Sequence, residues 1–325
     1  MKNINKNRAA EIINLAKGRQ IAVIGDVMLD RFFWGSVSRV SPEAPVPVID
    51  VERETFHLGG AANVAKNLAS LDLKPVLCGI LGADNSGKMF AEIALESGIS
   101  PAGLFVDIDR PTTVKTRIIG NNQHIARIDR EVRQMINQEG ELFILNSIKN
   151  IQELAGIILE DYNKGTLSEN LIEEIIIFSK ENKIPVFVDP KSDNFYLYKG
   201  VSLFKPNRKE ASNALGMQLN NKENIIYAGE KLLQQLQCQN VLITLGSEGM
   251  MLFESNGNIS SVPTFARKVA DVSGAGDTAI ATLAAAWAGG ADIKEASALA
   301  NYASGLVVEK PGIVSVEISE LINTI

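Results

Sequence analysis

The sequence predicts an α/β fold: a central, mostly parallel sheet flanked by helices, with a small β lid over one end. Three observations predict it. Short apolar runs alternate with helical patterns along most of the 325 residues, the order of strand–helix–strand units. Two segments, residues 31–56 and 105–129, break that order with β-branched residues and prolines or with period-two alternation. No repeat, low-complexity tract or linker divides the chain, so residues 1–325 read as one domain, long enough to bury a substantial core.

Taken in order, residues 21–25 (IAVIG) are the first strand. Residues 31–56 carry Pro42, Pro45 and Pro47 and read as hairpin strands outside the main sheet, the first half of the lid. A helix over 61–70 follows the pair Gly59 and Gly60, then a strand over 75–81 (PVLCGIL) and a helix over 87–97. Within 105–129, TTVKTRIIGNNQHIARID alternates polar and apolar residues, turns near Gly120 and Asn121, and completes the lid. Residues 155–160 (AGIILE), 185–189 (PVFVD) and 240–246 (NVLITLG) are further strands. The helix over 168–182 starts with Ser168 as N-cap and Glu169 in its first turn.

Composition limits the function classes. Hydrophobic content of 46% and charged content of 22% are ordinary for a globular protein. A formal charge of −6 argues against nucleic acid, or an anionic membrane surface, as a main partner. Cys78 and Cys238 sit in apolar runs without C-x-x-C spacing and read as buried reduced thiols. His57 and His124 are far apart in sequence, which disfavours a histidine metal site. The opening MKNINKNRAAEIINLAKGRQ lacks the apolar core of a signal peptide. The longest apolar stretch, 279–288, is about half a bilayer span. A cytoplasmic protein is the expectation.

Three glycine-rich stretches compete for the chemistry, one of them open to two readings. GADNSGKM (82–89) nearly spells a P-loop, but Met89 stands where a hydroxyl must ligate Mg²⁺, so a tight turn starting a helix is the better account. GAGDTA (274–279) also fits the loose dinucleotide pattern, yet it lies near the C-terminus and no buried strand precedes it. GGAANVAKNLASL (59–71) places Asn63 and Asn67 one turn apart on one helix face; it serves either close packing or the grip of a polyhydroxyl ligand. In VADVSGAGDTAIATLAAAWAGG (269–290), Gly274, Ala275 and Gly276 strip the mouth of a helix of side chains. Such a mouth offers unpaired N–H groups and the positive end of a dipole to an anion. Asp277, just inside, would repel that anion. Taken alone it either satisfies the dipole or takes a proton from an attacking hydroxyl.

Together these stretches resemble the ribokinase-like (PfkB) family of sugar kinases over nearly the whole chain. GAGDT after ADVS and the earlier GGAANVAKNLA are similar to its two signatures. The resemblance implies ATP and Mg²⁺ as cofactors. It makes Asp277 the base, with the N–H groups of Gly274, Ala275 and Gly276 as the anion hole. KPNRKE (205–210) resembles an N-x-x-E element that organises Mg²⁺ and phosphate through Asn207 and Glu210. TLGSEG (244–249) resembles a nucleotide-side turn, implicating Thr244, Gly246 and Gly249, with the adenine lying between it and the C-terminal helix that carries Asn301 and Gly305. LGADNSGKMFAEIALESGI resembles a further turn and helix of the family. Val272 departs from a common Thr, and Asp72 from a usual Gly.

Within the family, GDVMLDRFFWGSVSRVSPEAPVPV, EDYNKG and VDPKSDNFYLYKG resemble D-glycero-β-D-manno-heptose 7-phosphate kinases. That resemblance implies phosphoryl transfer to the anomeric hydroxyl, giving the 1,7-bisphosphate for ADP-heptose and lipopolysaccharide precursor synthesis. A sugar phosphate needs hydroxyl-gripping groups at one end, and Asp26, Asp30, Gly59, Gly60, Asn63 and Asp161 are the candidates. It needs cations at the other, and Arg39, Lys115, Arg117, Lys164 and Lys191 are the candidates. The family often fuses a nucleotidyltransferase domain behind the kinase, so a chain ending at Ile325 is expected to rely on a separate enzyme for adenylyl transfer. A homodimer through the apolar lid edge VPVIDV is also expected. Two alternatives stay open: a kinase of the same fold acting on fructose, ribose or fructose 6-phosphate, and a non-catalytic sugar- or nucleotide-binding regulator.

Overall fold

In the computed structural model, which describes residues 4–266 and 268–325, the chain opens with α1 (Lys6–Ala16), capped by the Asn5 side chain accepting from the Arg8 N–H. β1 (Gln20–Gly25) then runs almost directly into β2 (Val27–Val40), and β3 (Pro47–Gly60) returns to enter α2 (Ala61–Ser70) without a loop. Next come β4 (Lys74–Gly82), α3 (Asn85–Glu96), β5 (Gly103–Asp107) and the hairpin of β6 (Val114–Gly120) and β7 (Gln123–Arg130). α4 (Gln138–Lys149), β8 (Leu154–Glu160), α5 (Glu169–Glu181), β9 (Val186–Asp189) and β10 (Leu203–Phe204) follow. α6 (Arg208–Leu215) and α7 (Lys222–Leu236) lead to β11 (Asn240–Thr244), β12 (Met250–Glu254) and β13 (Ile259–Val262). α8 (Ala275–Ala288), α9 (Ile293–Val308) and α10 (Ile318–Thr324) close the chain.

The main sheet has the order β13-β12-β11-β10-β9-β8-β1-β4-β5. It is parallel except for β12 and β13, which follow β11 through a turn too short for a crossover. Alternate residues feed two cores. Val23, Leu77, Ile158 and Leu242 meet α1, α2, α8 and α9 on one face. Ile24, Ile157, Leu159 and Val188 meet α4, α5 and α7 on the other. α8 is buried continuously from Asp277 to Ala286, and its alanines let it lie close between α2 and α9. Its mouth is thereby fixed against the carboxyl ends of the parallel strands.

The lid is a separate sheet of order β3-β2-β6-β7. Its hairpin turns at Asn121 and Asn122, with φ of 50° and 63°, the left-handed pair that suits a two-residue connection between twisted strands. Several boundaries differ from expectation. The lid strands reach back to Val27 and on to Gly60, whereas residues 105–107 leave the lid because β5 pairs with β4 at the edge of the main sheet. The strand expected to reach Gly246 stops at Thr244, since Gly246 has φ 63°. The P-loop look-alike is a capped turn: Asp84 accepts from the Gly87 N–H at 2.9 Å to start α3. Asp72 has φ 63°, which is why glycine suits that place and why an Asp tolerates it. Among the described residues no helix is long and apolar enough to cross a membrane.

Candidate active site

The carboxyl ends of β1, β8, β9, β10 and β11 converge below the mouth of α8. Gly25, Glu160 and Asp189 stand side by side in register there, and Lys205 and Thr244 sit at the ends of the next two strands. Open parallel sheets present ligand sites at this edge. Gly274 caps α8 with φ 80° and no side-chain bond; the Ala275 N–H turns back to the Val272 carbonyl at 3.3 Å, which leaves the N–H groups of Gly276 and Asp277 as the first turn's donors for a ligand.

Two cavities meet at that mouth. One, of about 230 Å³, is walled by Thr244, Gly246 and Gly249 from the turn after β11, Asn301 and Gly305 from α9, and Gly276 and Ala275 from α8. The Asn301 amide donates to the Pro263 carbonyl at 2.8 Å, so it braces this wall. A Cβ on Gly305 would press to 3.1 Å from the Ala266 nitrogen. Mostly apolar walls ending at a helix mouth suit a flat base with an anionic tail.

The other cavity, of about 260 Å³, lies under the lid and contains Asp30, Gly59, Gly60, Asn63, Lys115, Arg117, Gly274 and Asp277, together with Arg127 and Tyr162. Asp277 is buried. Its Oδ2 accepts from Asn63 Nδ2 at 2.6 Å and its Oδ1 from the Tyr162 hydroxyl at 3.0 Å. Burial raises its pKa above the usual carboxylate range, while the Asn63 and Tyr162 bonds hold it down. Asn63 Oδ1 is buried and takes no hydrogen bond, an acceptor left for a ligand hydroxyl. Asp30 pairs with Arg117 across the lid, and a Cβ on Gly59 would collide with the Asp30 carboxylate. Gly60, at φ 59°, is excluded from bearing a side chain by the Asp26 carbonyl.

Several residues expected at the substrate do other work. Asp26 is buried with its carboxylate filled by the N–H groups of Tyr162, Lys164 and Thr166 at 2.8–3.0 Å; it ties the loop after β8 to β1. Asp161 is likewise buried, accepting from the Asn163 N–H, the Asn194 amide and the Tyr198 hydroxyl. Asn67 packs α2 on α8 by accepting from the Thr278 hydroxyl at 3.0 Å. Arg39 lies far out on β2, 3.6 Å from Asp50, and is largely exposed. Lys164 points to Glu131 at 2.6 Å, which also takes Lys115 at 3.0 Å. Lys191 pairs with Glu210 at 2.5 Å and lies 5.1 Å from the centre of the Tyr162 ring. Asn207 and Glu210 form a reciprocal capping box at the start of α6, which uses the Asn207 oxygen and one Glu210 oxygen.

A different set of acids fits a cation. Carboxylate oxygens of Glu160, Asp189 and Asp277 lie within 4.8 Å of one another, and both oxygens of the wholly buried Glu160 lack partners. Burial, then the neighbouring Asp189 and Asp277, push Glu160 well above the usual carboxylate pKa. Lys205 Nζ reaches Asp189 at 2.7 Å; burial pulls this ammonium down, but Asp189 and Glu160 outweigh it and the net shift is upward. Sequence reasoning missed Tyr162, Arg127, Glu160, Asp189 and Lys205. The strand ends carried the signal for three of them: an acid or a lysine closing an apolar run.

Comparisons with known proteins bear on the family and the fold. A family profile described as "pfkB family carbohydrate kinase" matches residues 19–319. The bifunctional protein HldE of Geobacter sulfurreducens is 41% identical over 304 residues, 93% of this chain and 62% of that protein. HldE of Desulfatibacillum aliphaticivorans is 42% identical over 310 residues, 95% of this chain and 63% of the relative. The chain thus spans under two thirds of the length of these curated relatives. Arabidopsis thaliana ribokinase, solved with ribose and ATP, superposes with TM-score 0.74 at 21% identity, over 95% of this chain and 98% of that one. Escherichia coli phosphofructokinase-2 with fructose-6-phosphate gives 0.78 at 15%, over 94% and 98%. At such identities the two structures speak for the fold alone.

Proposed function

Because the chain belongs to the pfkB family of carbohydrate kinases, we propose that it transfers the γ-phosphoryl group of ATP to the anomeric hydroxyl of D-glycero-D-manno-heptose 7-phosphate. One observation carries the reading: a buried carboxylate, Asp277, sits at the mouth of α8 where the two cavities meet.

The nucleotide would fill the cavity under α9, with its terminal phosphates on the N–H groups of Gly276 and Asp277. The sugar would fill the cavity under the lid. Asp30 and the open Asn63 oxygen suit its hydroxyls. Asp277 would take the hydroxyl proton as the oxygen attacks, and the helix mouth would steady the charge on the moving group. Lys115, Arg117 and Arg127 in the same cavity favour an acceptor with an anion at its far end over a neutral sugar such as ribose. Fructose 6-phosphate shares that property and is the second reading. The lid would exclude water, which otherwise competes as acceptor.

Mg²⁺ fits Glu160, with Asp189 beside it, better than the capping pair Asn207 and Glu210, because the orphaned buried oxygens of Glu160 suit a hard cation, whereas the Asn207 oxygen and both Glu210 oxygens are engaged. Held there, it would offset the charge of the triphosphate. We also infer a homodimer through the lids. HldE is bifunctional by name and longer than this chain, which supports a nucleotidyltransferase acting downstream.

The test is turnover on heptose 7-phosphate, fructose 6-phosphate and ribose, by wild type and Asp277→Asn. The expected result is preference for the heptose and loss of at least about a thousandfold in kcat in the variant, with ATP still bound. Wild-type-like kcat in the variant removes Asp277 from the chemistry. ATP consumption that is indifferent to any sugar removes the kinase reading.

A further inference from the structure

Behind the mouth of α8 lies a cation that the reading above leaves unused. Lys205 follows β10, and its side chain is only 3% exposed, with Nζ 2.7 Å from Asp189 Oδ2. Gly276 lines the nucleotide cavity. A Cβ built on it would lie 3.7 Å from Lys205 Nζ and 3.6 Å from Asp189 Oδ2, and would meet nothing else within 4 Å outside its own helix and neighbours. The space opened by that glycine is therefore bordered by an ammonium. A buried ion pair is a weak way to stabilise a fold, since apolar replacements often do as well. An ammonium kept dry beside a glycine opening has a stronger use: charge stabilisation of an anion in a water-poor site.

We propose that Lys205 is a catalytic residue, its ammonium donating to a non-bridging oxygen of the γ-phosphoryl group during transfer. The inference rests on the kinase reading. In the step, the sugar hydroxyl oxygen forms a bond to γ-phosphorus. The bond from that phosphorus to the bridging oxygen of ADP breaks, and its electron pair stays on ADP. The hydroxyl proton goes to Asp277. Lys205 keeps its three protons throughout, so it stabilises charge and is not the acid. Asp277 faces the acceptor through the lid-side cavity, while Lys205 faces the donor through the Gly276 opening. The two act on opposite sides of the group in flight.

The experiment measures kcat and KM for the full chain with Mg-ATP and the sugar phosphate that wild type turns over. Lys205→Ala is expected to lower kcat about a hundredfold or more, with KM for ATP changed only a few-fold. Methylammonium or ethylammonium, entering the vacated space, should restore kcat at least tenfold and saturably, whereas tetramethylammonium, which has no N–H, should not. If Lys205 only neutralises Asp189, tetramethylammonium would restore kcat in Lys205→Ala as well as methylammonium does, and that result overturns the proposal. Lys205→Gln serves if Lys205→Ala fails to fold, because its amide can still donate to Asp189; the same loss of about a hundredfold in kcat is expected there, and kcat within threefold of wild type overturns the proposal. Kcat within threefold of wild type in Lys205→Ala also overturns it. Wild type active with both variants active rejects Lys205 alone; wild type without sugar-dependent turnover rejects the kinase reading and Lys205 with it.

Discussion

Asp277 holds a conflict that its two neighbours settle. Burial favours the protonated carboxyl, whereas a base must be ionised, and the bonds from Asn63 and Tyr162 pull it back toward ionisation. Tyr162 is itself shifted well upward, first by burial and then by Asp277, so it stays a neutral donor. The sign follows. Activity is lost as pH falls through a raised carboxyl pKa, and removing a donor to the ionised form raises that pKa further. Tyr162→Phe should therefore move the acid limb of kcat/KM to higher pH and cost about tenfold at its acid end, since a bond to a charged acceptor is worth about 1.5 kcal/mol. An unmoved limb would leave Tyr162 a packing role only. Asp277 is legible in the sequence because an acid inside a stripped helix mouth is locally anomalous. Tyr162 is not, because its meaning comes from the end of β8 meeting α8, and no local pattern records such a meeting; Lys205 shows in the sequence only as a lysine closing an apolar run.

At the scale of elements, Asp26 is the joint of the sheet's active edge. Three N–H groups of the loop after β8 converge on its carboxylate, and the loop carries Tyr162 to Asp277. Asp26→Ala should destabilise by about 3 kcal/mol or more, because it leaves buried donors without an acceptor. It should also lower kcat, as Tyr162 loses its anchor. Denaturant unfolding and steady-state kinetics on the same sample check both, and a variant as stable as wild type would remove the joint. The sequence exposes β1, β4, β8, β9 and β11 through their apolar runs, and α2 through its small residues. It conceals β10, which is two residues long. It misassigns Phe105 to the lid because a short edge strand and a lid strand share one composition; only the pairing of Cys78 with Gly103 separates them.

For the whole molecule, the open question is what the lid's outer edges meet. β3 and β7 are both edges of the four-stranded sheet, and Val51, Ile125 and Ile128 are exposed along them. Unpaired apolar edges invite another strand. Sedimentation at micromolar concentration should give twice the 35.2 kDa chain mass, and Val51→Glu with Ile128→Lys should halve it; a monomeric wild type would end the idea. The lid's attachment adds a mechanical side to this. It hangs from the body by β2 and β3, which start and stop at the paired residues Val27 and Gly60, one step from Asp26 and from α2. At about 3.3 Å per residue, a 14-residue strand makes an arm of up to roughly 45 Å, interrupted where its register with β3 shifts between Trp34 and Gly35 and between Val37 and Arg39. Asp30 sits close to the fulcrum and the tip far from it, so whatever seizes the tip works with long leverage on Asp30 and on the cavity beneath the lid.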